Sequence, residues 1–169
     1  YPDRREKSAY TIDYADLYRK GYRGVIFDID NTLVPHGAPA TKEAAAFFAS
    51  LRETGFSTCL LSNNQKPRVA PFADAVGSIY IENAHKPSVK NYQEACRRMG
   101  IKEEQAVFVG DQLFTDVYGA KRTGLYNILT EPINPKEEIQ IVLKRYLEHI
   151  VLFFYERDLA RGRITKKNS

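Results

Sequence analysis

At 169 residues, 43% of them hydrophobic, the chain can bury one sizeable core and is too short for a second full domain. Charges of both signs are scattered rather than blocked, which excludes a disordered chain. The net charge of +4 is modest and its excess sits in Arg157, Arg161, Arg163, Lys166 and Lys167, so a solvated basic tail is the plainer reading and nucleic acid is not expected as a partner.

In chain order, residues 1–20 read as an N-terminal arm whose Tyr10, Ile12, Tyr14, Leu17 and Tyr18, with Tyr22, pack on the core. Apolar runs at Val25–Ile29, Thr58–Leu61, Ser78–Ile81, Ala106–Val109 and Tyr126–Leu129 predict five strands. Helical patterns fall between them. Thr41–Thr54 has a candidate N-cap in Thr41 and stops before Gly55; Pro67–Val76 contains Pro71 and is expected to be short, kinked or irregular. Pro87–Met99 stops before Gly100, and Leu113–Thr123 before Gly124. This alternation predicts an α/β fold, a Rossmann-like three-layer sandwich around a mainly parallel sheet, with residues 21–131 as its core domain. One crossover helix uses up most of the interval from Asp30 to Ser62 and from Ser62 to Lys86, so no inserted domain is expected.

After Pro135, Ile139, Val142, Leu143, Tyr146, Leu147, Ile150, Phe153 and Phe154 recur at helical spacing. An amphipathic helix over 135–157 is expected, followed by the basic tail 158–169. Lys144, Arg145, Glu148 and His149 interrupt the run, which excludes a membrane span. A helix docked on the sheet or on a second subunit is favoured over one lying on a membrane. Cys59 and Cys96 lack metal-site spacing and read as small core residues in a reducing compartment. No leader is recognised, so the expected location is cytoplasmic, at most peripheral to the inner membrane surface.

The chemistry is concentrated at strand ends. Asp28 and Asp30 close the first apolar run, and alternation along a strand would turn both carboxylates the same way. Two buried carboxylates imply a cation or a catalytic task. Ser62, Asn63 and Asn64 follow the second strand, where a hydroxyl and free amides can hold phosphate. Lys86 precedes a helix, and Gly110-Asp111 with Asp116 follows the fourth apolar run. In an open parallel sheet all these positions meet at the carboxyl edge. His36, His85 and His149 form no metal set by spacing.

The order Asp28-x-Asp30-x-Thr32, Ser62, Lys86, Gly110-Asp111 and Asp116 resembles the haloacid dehalogenase superfamily in its phosphatase branch. Tyr1-Pro2-Asp3, the stretch Gly24–Pro35 and Ser62-Asn63-Asn64 are similar, more narrowly, to the YqeG-like group related to mitochondrial phosphatidylglycerophosphate phosphatases. The resemblance implies a capless Mg²⁺-dependent phosphomonoester hydrolase. In it Asp28 attacks phosphorus to form an aspartyl-phosphate and Asp30 moves the proton. Asp28, the Asp30 carbonyl and Asp111 hold Mg²⁺, while Ser62, Asn63 and Lys86 bind phosphate. Thr32 braces the motif loop, and Asp116 either meets the metal through water or holds Lys86 in place. The substrate is a phosphorylated small molecule or a lipid such as phosphatidylglycerophosphate, and without a cap the site is covered by a second copy or by a large substrate. Two other readings remain: a phosphoryl-accepting switch domain, and an inactive module that recruits a partner through its tail or last helix.

Overall fold

The computed structural model describes residues 1–136 together with Leu143 and Arg157. The chain divides into two compact units, Tyr1–Asn134 and Pro135–Ser169, and the sheet and the acidic motifs belong to the first. The expected helix 135–157, apart from those two residues and the start of the segment, and the tail 158–169 lie outside the described residues.

Strands β1 (Arg4–Glu6), β2 (Gly24–Phe27), β3 (Ser57–Leu61), β4 (Ile79–Ile81), β5 (Ala106–Gly110) and β6 (Tyr126–Thr130) form one parallel sheet in the order β1-β6-β5-β2-β3-β4. The expectation of five strands misses β1. Its sequence, Arg4-Arg5-Glu6, is charged throughout and carries no apolar alternation, which an edge strand tolerates because one side of it faces no neighbour. Asp3 fastens this edge. Its carboxylate accepts from the Asn127 amide (3.1 Å) and side-chain NH₂ (2.5 Å), while the Asp3 amide donates to Asn127 Oδ1 (3.1 Å).

Alternate strand residues supply two cores on opposite faces. Val25, Phe27, Leu60, Val107 and Val109 meet α1 (Tyr14–Arg19), α2 (Lys42–Thr54) and α3 (Lys66–Val76) through Leu17, Phe48 and Phe72. Ile26, Cys59, Leu61 and Phe108 meet α4 (Val89–Met99) and α5 (Tyr118–Thr123) through Tyr92, Cys96 and Ala120. Three layers result, and period-two alternation with both faces buried explains why these runs are continuously apolar. Tyr10, Tyr14 and Tyr18 join the first core. Both cysteines are free and buried, and burial pushes both thiols up to about 12.

Helix ends follow the sequence signals. Thr41 Oγ1 accepts from the Ala44 amide at 3.0 Å, and Gly55, at φ 108°, closes α2 in the left-handed region. α3 runs through Pro71, which sits on the exposed side with Pro67 so that the missing bond falls at the surface. Chain direction across the sheet reverses between β2 and β5, the place where an open sheet leaves a crevice at its carboxyl edge.

Candidate active site

Asp28 directly follows β2, and its amide still bonds the Val109 carbonyl of β5 (3.0 Å). The strand then ends, earlier than the expected Ile29. Leu33 donates back to the Ile29 carbonyl (2.9 Å) and Asn31 to that of Val34 (2.7 Å), so the next residues curl into a compact loop. Asp28 and Asp30 therefore do not share one strand face by simple alternation, and they find different partners. Asp28 Oδ1 accepts from Lys86 Nζ at 2.5 Å. Asp30 Oδ1 accepts from the Gly37 amide (2.7 Å) and Arg68 Nη2 (2.8 Å), and its Oδ2 from Asn64 Nδ2 (2.7 Å).

Lys86 is the hub. Its ammonium also donates to Asp116 Oδ1 at 2.7 Å, and Asp116 is fully buried. Asn63 clamps the lysine's main chain, accepting from its amide (2.7 Å) and donating to its carbonyl (3.4 Å). The Asn63 side chain is thus engaged by Lys86. Ser62 is buried at the end of β3, and its Oγ accepts from the Asn64 amide at 3.1 Å, which orients its hydroxyl.

After β5 the chain does not enter the regular helix expected from Leu113. Residues Leu113–Val117 form a wider π-type turn, with the Val117 amide reaching the Gln112 carbonyl at 3.1 Å, before α5 begins. The wide turn aims Asp116 inward, where its Oδ2 accepts from the Gln112 amide at 3.1 Å. The carboxylate lies directly over Gly110, and a Cβ there would collide with it. Tyr92 of α4 supports the turn from below, donating to the Thr115 carbonyl at 2.8 Å. The Thr32 hydroxyl donates to Asp111 Oδ1 at 3.1 Å.

Asp28, Asp111 and Asp116 each offer a carboxylate oxygen, and these oxygens lie within 4.8 Å of one another. Asp28 and Asp116 share the Lys86 ammonium and Asp111 stands with them in the cluster, while Asp30 pairs with Arg68. Burial drives the Asp28 carboxyl up to about 7, Lys86 opposes the rise and Asp116 adds to it. For Lys86, burial pulls downward but Asp116 and Asp28 outweigh it, so the ammonium is held above its usual range. A hard divalent cation fits this donor set, because every ligand it offers is a carboxylate oxygen. The Asp30 carboxylate is not in the cluster, and no histidine of the described residues is either.

Residues that sequence reasoning did not single out are Arg68, Tyr92 and Gln112, and the role of Asn64. Arg68 lies thirty-eight positions from Asp30, so nothing local marks the pair. Outside the polar centre, Leu113 and Phe114 leave 48% and 86% of their surface exposed, on the same turn that carries Asp116.

A model of the haloacid dehalogenase-like hydrolases matches residues 37–124 of this chain. The probable phosphatase YqeG of Bacillus subtilis is 34% identical over 157 residues, covering 92% of this chain and 91% of that protein. Phosphatidylglycerophosphate phosphatase 1 of Arabidopsis thaliana is 29% identical over 89% of this chain, which spans 46% of the plant protein's length. Among solved structures, an uncharacterized protein from Corynebacterium glutamicum superposes with a TM-score of 0.56 at 23% identity, over 72% of this chain and 93% of that one, a likeness of fold.

Proposed function

The chain belongs to the haloacid dehalogenase-like hydrolases and is a phosphatase, and from that premise we propose that it hydrolyses phosphomonoesters through an aspartyl-phosphate on Asp28, with Mg²⁺ held by Asp28, Asp111 and the Asp30 carbonyl. The observation that carries this reading is the Lys86 ammonium shared between Asp28 (2.5 Å) and Asp116 (2.7 Å) at the carboxyl edge of the sheet. A phosphoryl group brings more negative charge into an already acidic pocket, so catalysis there depends on compensating that charge and aligning the nucleophile. When bound, Mg²⁺ supplies Lewis-acid stabilisation of the phosphoryl oxygens.

The chain's own residues divide the remaining work. Lys86, fixed through its backbone by Asn63 and through its ammonium by Asp116, holds Asp28 for attack and neutralises the incoming phosphate. Asp116 acts by orienting Lys86, whose ammonium donates to its Oδ1 while the Gln112 amide steadies its Oδ2. Ser62 contributes its hydroxyl hydrogen to a phosphoryl oxygen. Asp30 protonates the leaving oxygen and then takes a proton from the attacking water, which splits one difficult displacement into two easier ones.

For the substrate, the reading is a phospholipid headgroup such as that of phosphatidylglycerophosphate. Two features support it: the name of the plant relative, and the exposed Leu113 and Phe114 beside the polar centre, where an apolar substrate body or membrane surface can rest. Among the described residues no inserted domain closes the site, and no helix is long and apolar enough to cross a membrane. Phosphate release from an aryl phosphate with and without Mg²⁺ tests the chemistry, and a panel of lipid, nucleotide, sugar and peptide phosphates tests the substrate. A wild-type protein inactive on every member, or one that accumulates long-lived phosphorylated Asp28, overturns the hydrolase reading.

A further inference from the structure

Asp30 is held within its own loop by Gly37 and from two segments remote in sequence by Asn64 after β3 and Arg68 in the first turn of α3. A carboxylate offers about four acceptor positions, two on each oxygen. Both positions of Oδ1 are filled, by the Gly37 amide at 2.7 Å and Arg68 Nη2 at 2.8 Å. Oδ2 accepts from Asn64 Nδ2 at 2.7 Å, and among the described residues its second position is the one left over. A transferable proton needs an oxygen with a lone pair not already used.

Resting on the acid–base role proposed for Asp30, we infer that Arg68 is a positioning residue that anchors Oδ1 and so makes Oδ2 the oxygen that exchanges the proton. Arg68 is suited to this. Its side chain is only 21% exposed, its guanidinium carbon stands 5.6 Å over the Phe72 ring one helical turn on, and a planar fork fixes direction where an ammonium would not. Pairing Arg68 with Asp30 also keeps that carboxylate from competing for Lys86, whose bonds go to Asp28 and Asp116. The centre thus holds two separate ion-pair systems, one for the nucleophile and one for the proton carrier.

In the first half-reaction the bond from Asp28 to phosphorus forms, the bond to the leaving oxygen breaks, and the proton on Oδ2 passes to that oxygen to release an alcohol. In the second, a water oxygen bonds to phosphorus, its proton passes to Oδ2, and the bond from phosphorus to Asp28 breaks to release phosphate. If Arg68 is removed, Oδ1 keeps only the Gly37 amide, and the carboxylate can rotate and present either oxygen.

The experiment compares alcohol release within the first turnover, which reports formation of the aspartyl-phosphate and not the hydrolysis common to both substrates, for p-nitrophenyl phosphate, whose leaving group needs little acid, and for glycerol 2-phosphate, whose alkoxide needs a proton. The full chain is used with saturating Mg²⁺. Arg68→Ala is expected to lower this first-turnover rate about a hundredfold on the glycerol ester and less than about fivefold on the nitrophenyl ester, the span general-acid help covers, with both KM values unchanged. Retained nitrophenyl turnover reports an intact fold and nucleophile. Arg68→Lys should recover part of the glycerol-ester rate. Adding Arg68→Ala to Asp30→Asn should slow the enzyme by no more than about twofold further, because two residues acting through one proton transfer are not additive. If Asp30→Asn slows first-turnover alcohol release from both esters equally, the acid–base reading falls and this inference with it. If Asp30→Asn is selective for the glycerol ester while Arg68→Ala slows both esters alike, raises KM or adds fully to Asp30→Asn, the acid–base reading stands and the role of Arg68 is overturned.

Discussion

At the scale of single residues the site is a problem of charge, and its members respond differently to loss. Asp28→Asn should abolish phosphate release, since an amide cannot form the acyl-phosphate, and no phosphorylated protein should be trapped by acid quenching. Asp111→Ala leaves Asp28 and Lys86 paired but removes one of the three clustered oxygens. A rise of about tenfold or more in the Mg²⁺ needed for half-maximal rate is expected, with little change in rate at saturating metal. A Mg²⁺ titration of turnover checks this, and an unchanged midpoint would take Asp111 out of the ligand set. Asp111 was legible in sequence because Gly110-Asp111 closes an apolar run. The opposite holds for the Arg68 contact, which exists only once α3 is folded against the loop after β2.

At the scale of elements the turn Leu113–Val117 decides where Asp116 points. One extra residue per turn has no compositional signature, so the segment reads as ordinary helix from sequence, and only packing against Tyr92 and Gly110 selects the wider form. Two substitutions follow from that packing. Gly110→Ala places a methyl group against the Asp116 carboxylate and should displace it from Lys86, lowering turnover while leaving the strand formed. Tyr92→Phe keeps the ring but removes the side-chain donor of the half-buried Thr115 carbonyl, which keeps the Tyr118 amide, at a cost of about 1 kcal/mol, read as a fall in Tm of about 3 °C. A variant as stable as the parent would show that the turn does not depend on that bond.

At the scale of the whole molecule the sheet carries the site, and its outer edge is closed by a strand of charged residues from the far end of the sequence. Arg4, Arg5 and Glu6 pair with Ile128, Leu129 and Thr130, and the lock is Asp3 on Asn127, which is fully buried. Asp3→Ala strands the Asn127 amide and leaves its NH₂ only a long bond to the Leu125 carbonyl (3.4 Å), and should cost about 2 kcal/mol, while kcat on an aryl phosphate stays within about twofold because β6 and β5 stand between this edge and β2. Thermal melting beside a turnover assay separates the two effects. Equal loss of stability and rate would mean that the edge is coupled to the centre.

The sequence by itself determined β2 to β6, the helices between them and the chemical residue types at the strand ends. Each of these rests on local signals: apolar runs long enough for a buried parallel strand, caps such as Thr41 and Gly55, and carboxylates placed where an apolar run stops. Tertiary structure decided what is non-local. It added β1, whose residues gain a reason to be extended only from β6, and it ended β2 at Phe27 by folding the next loop back on Ile29. It committed Asp116 to Lys86, and it gave Asp30 to Arg68, Asn64 and Gly37. The end of β2 is a tight turn of Leu33 onto Ile29 that hydrophobic periodicity does not record. For β1, for Asp116 and for the Arg68 and Asn64 contacts of Asp30, hydrogen bonds and ion pairs between segments dozens of residues apart depend on side chains meeting in space, and no periodicity within either segment records the meeting.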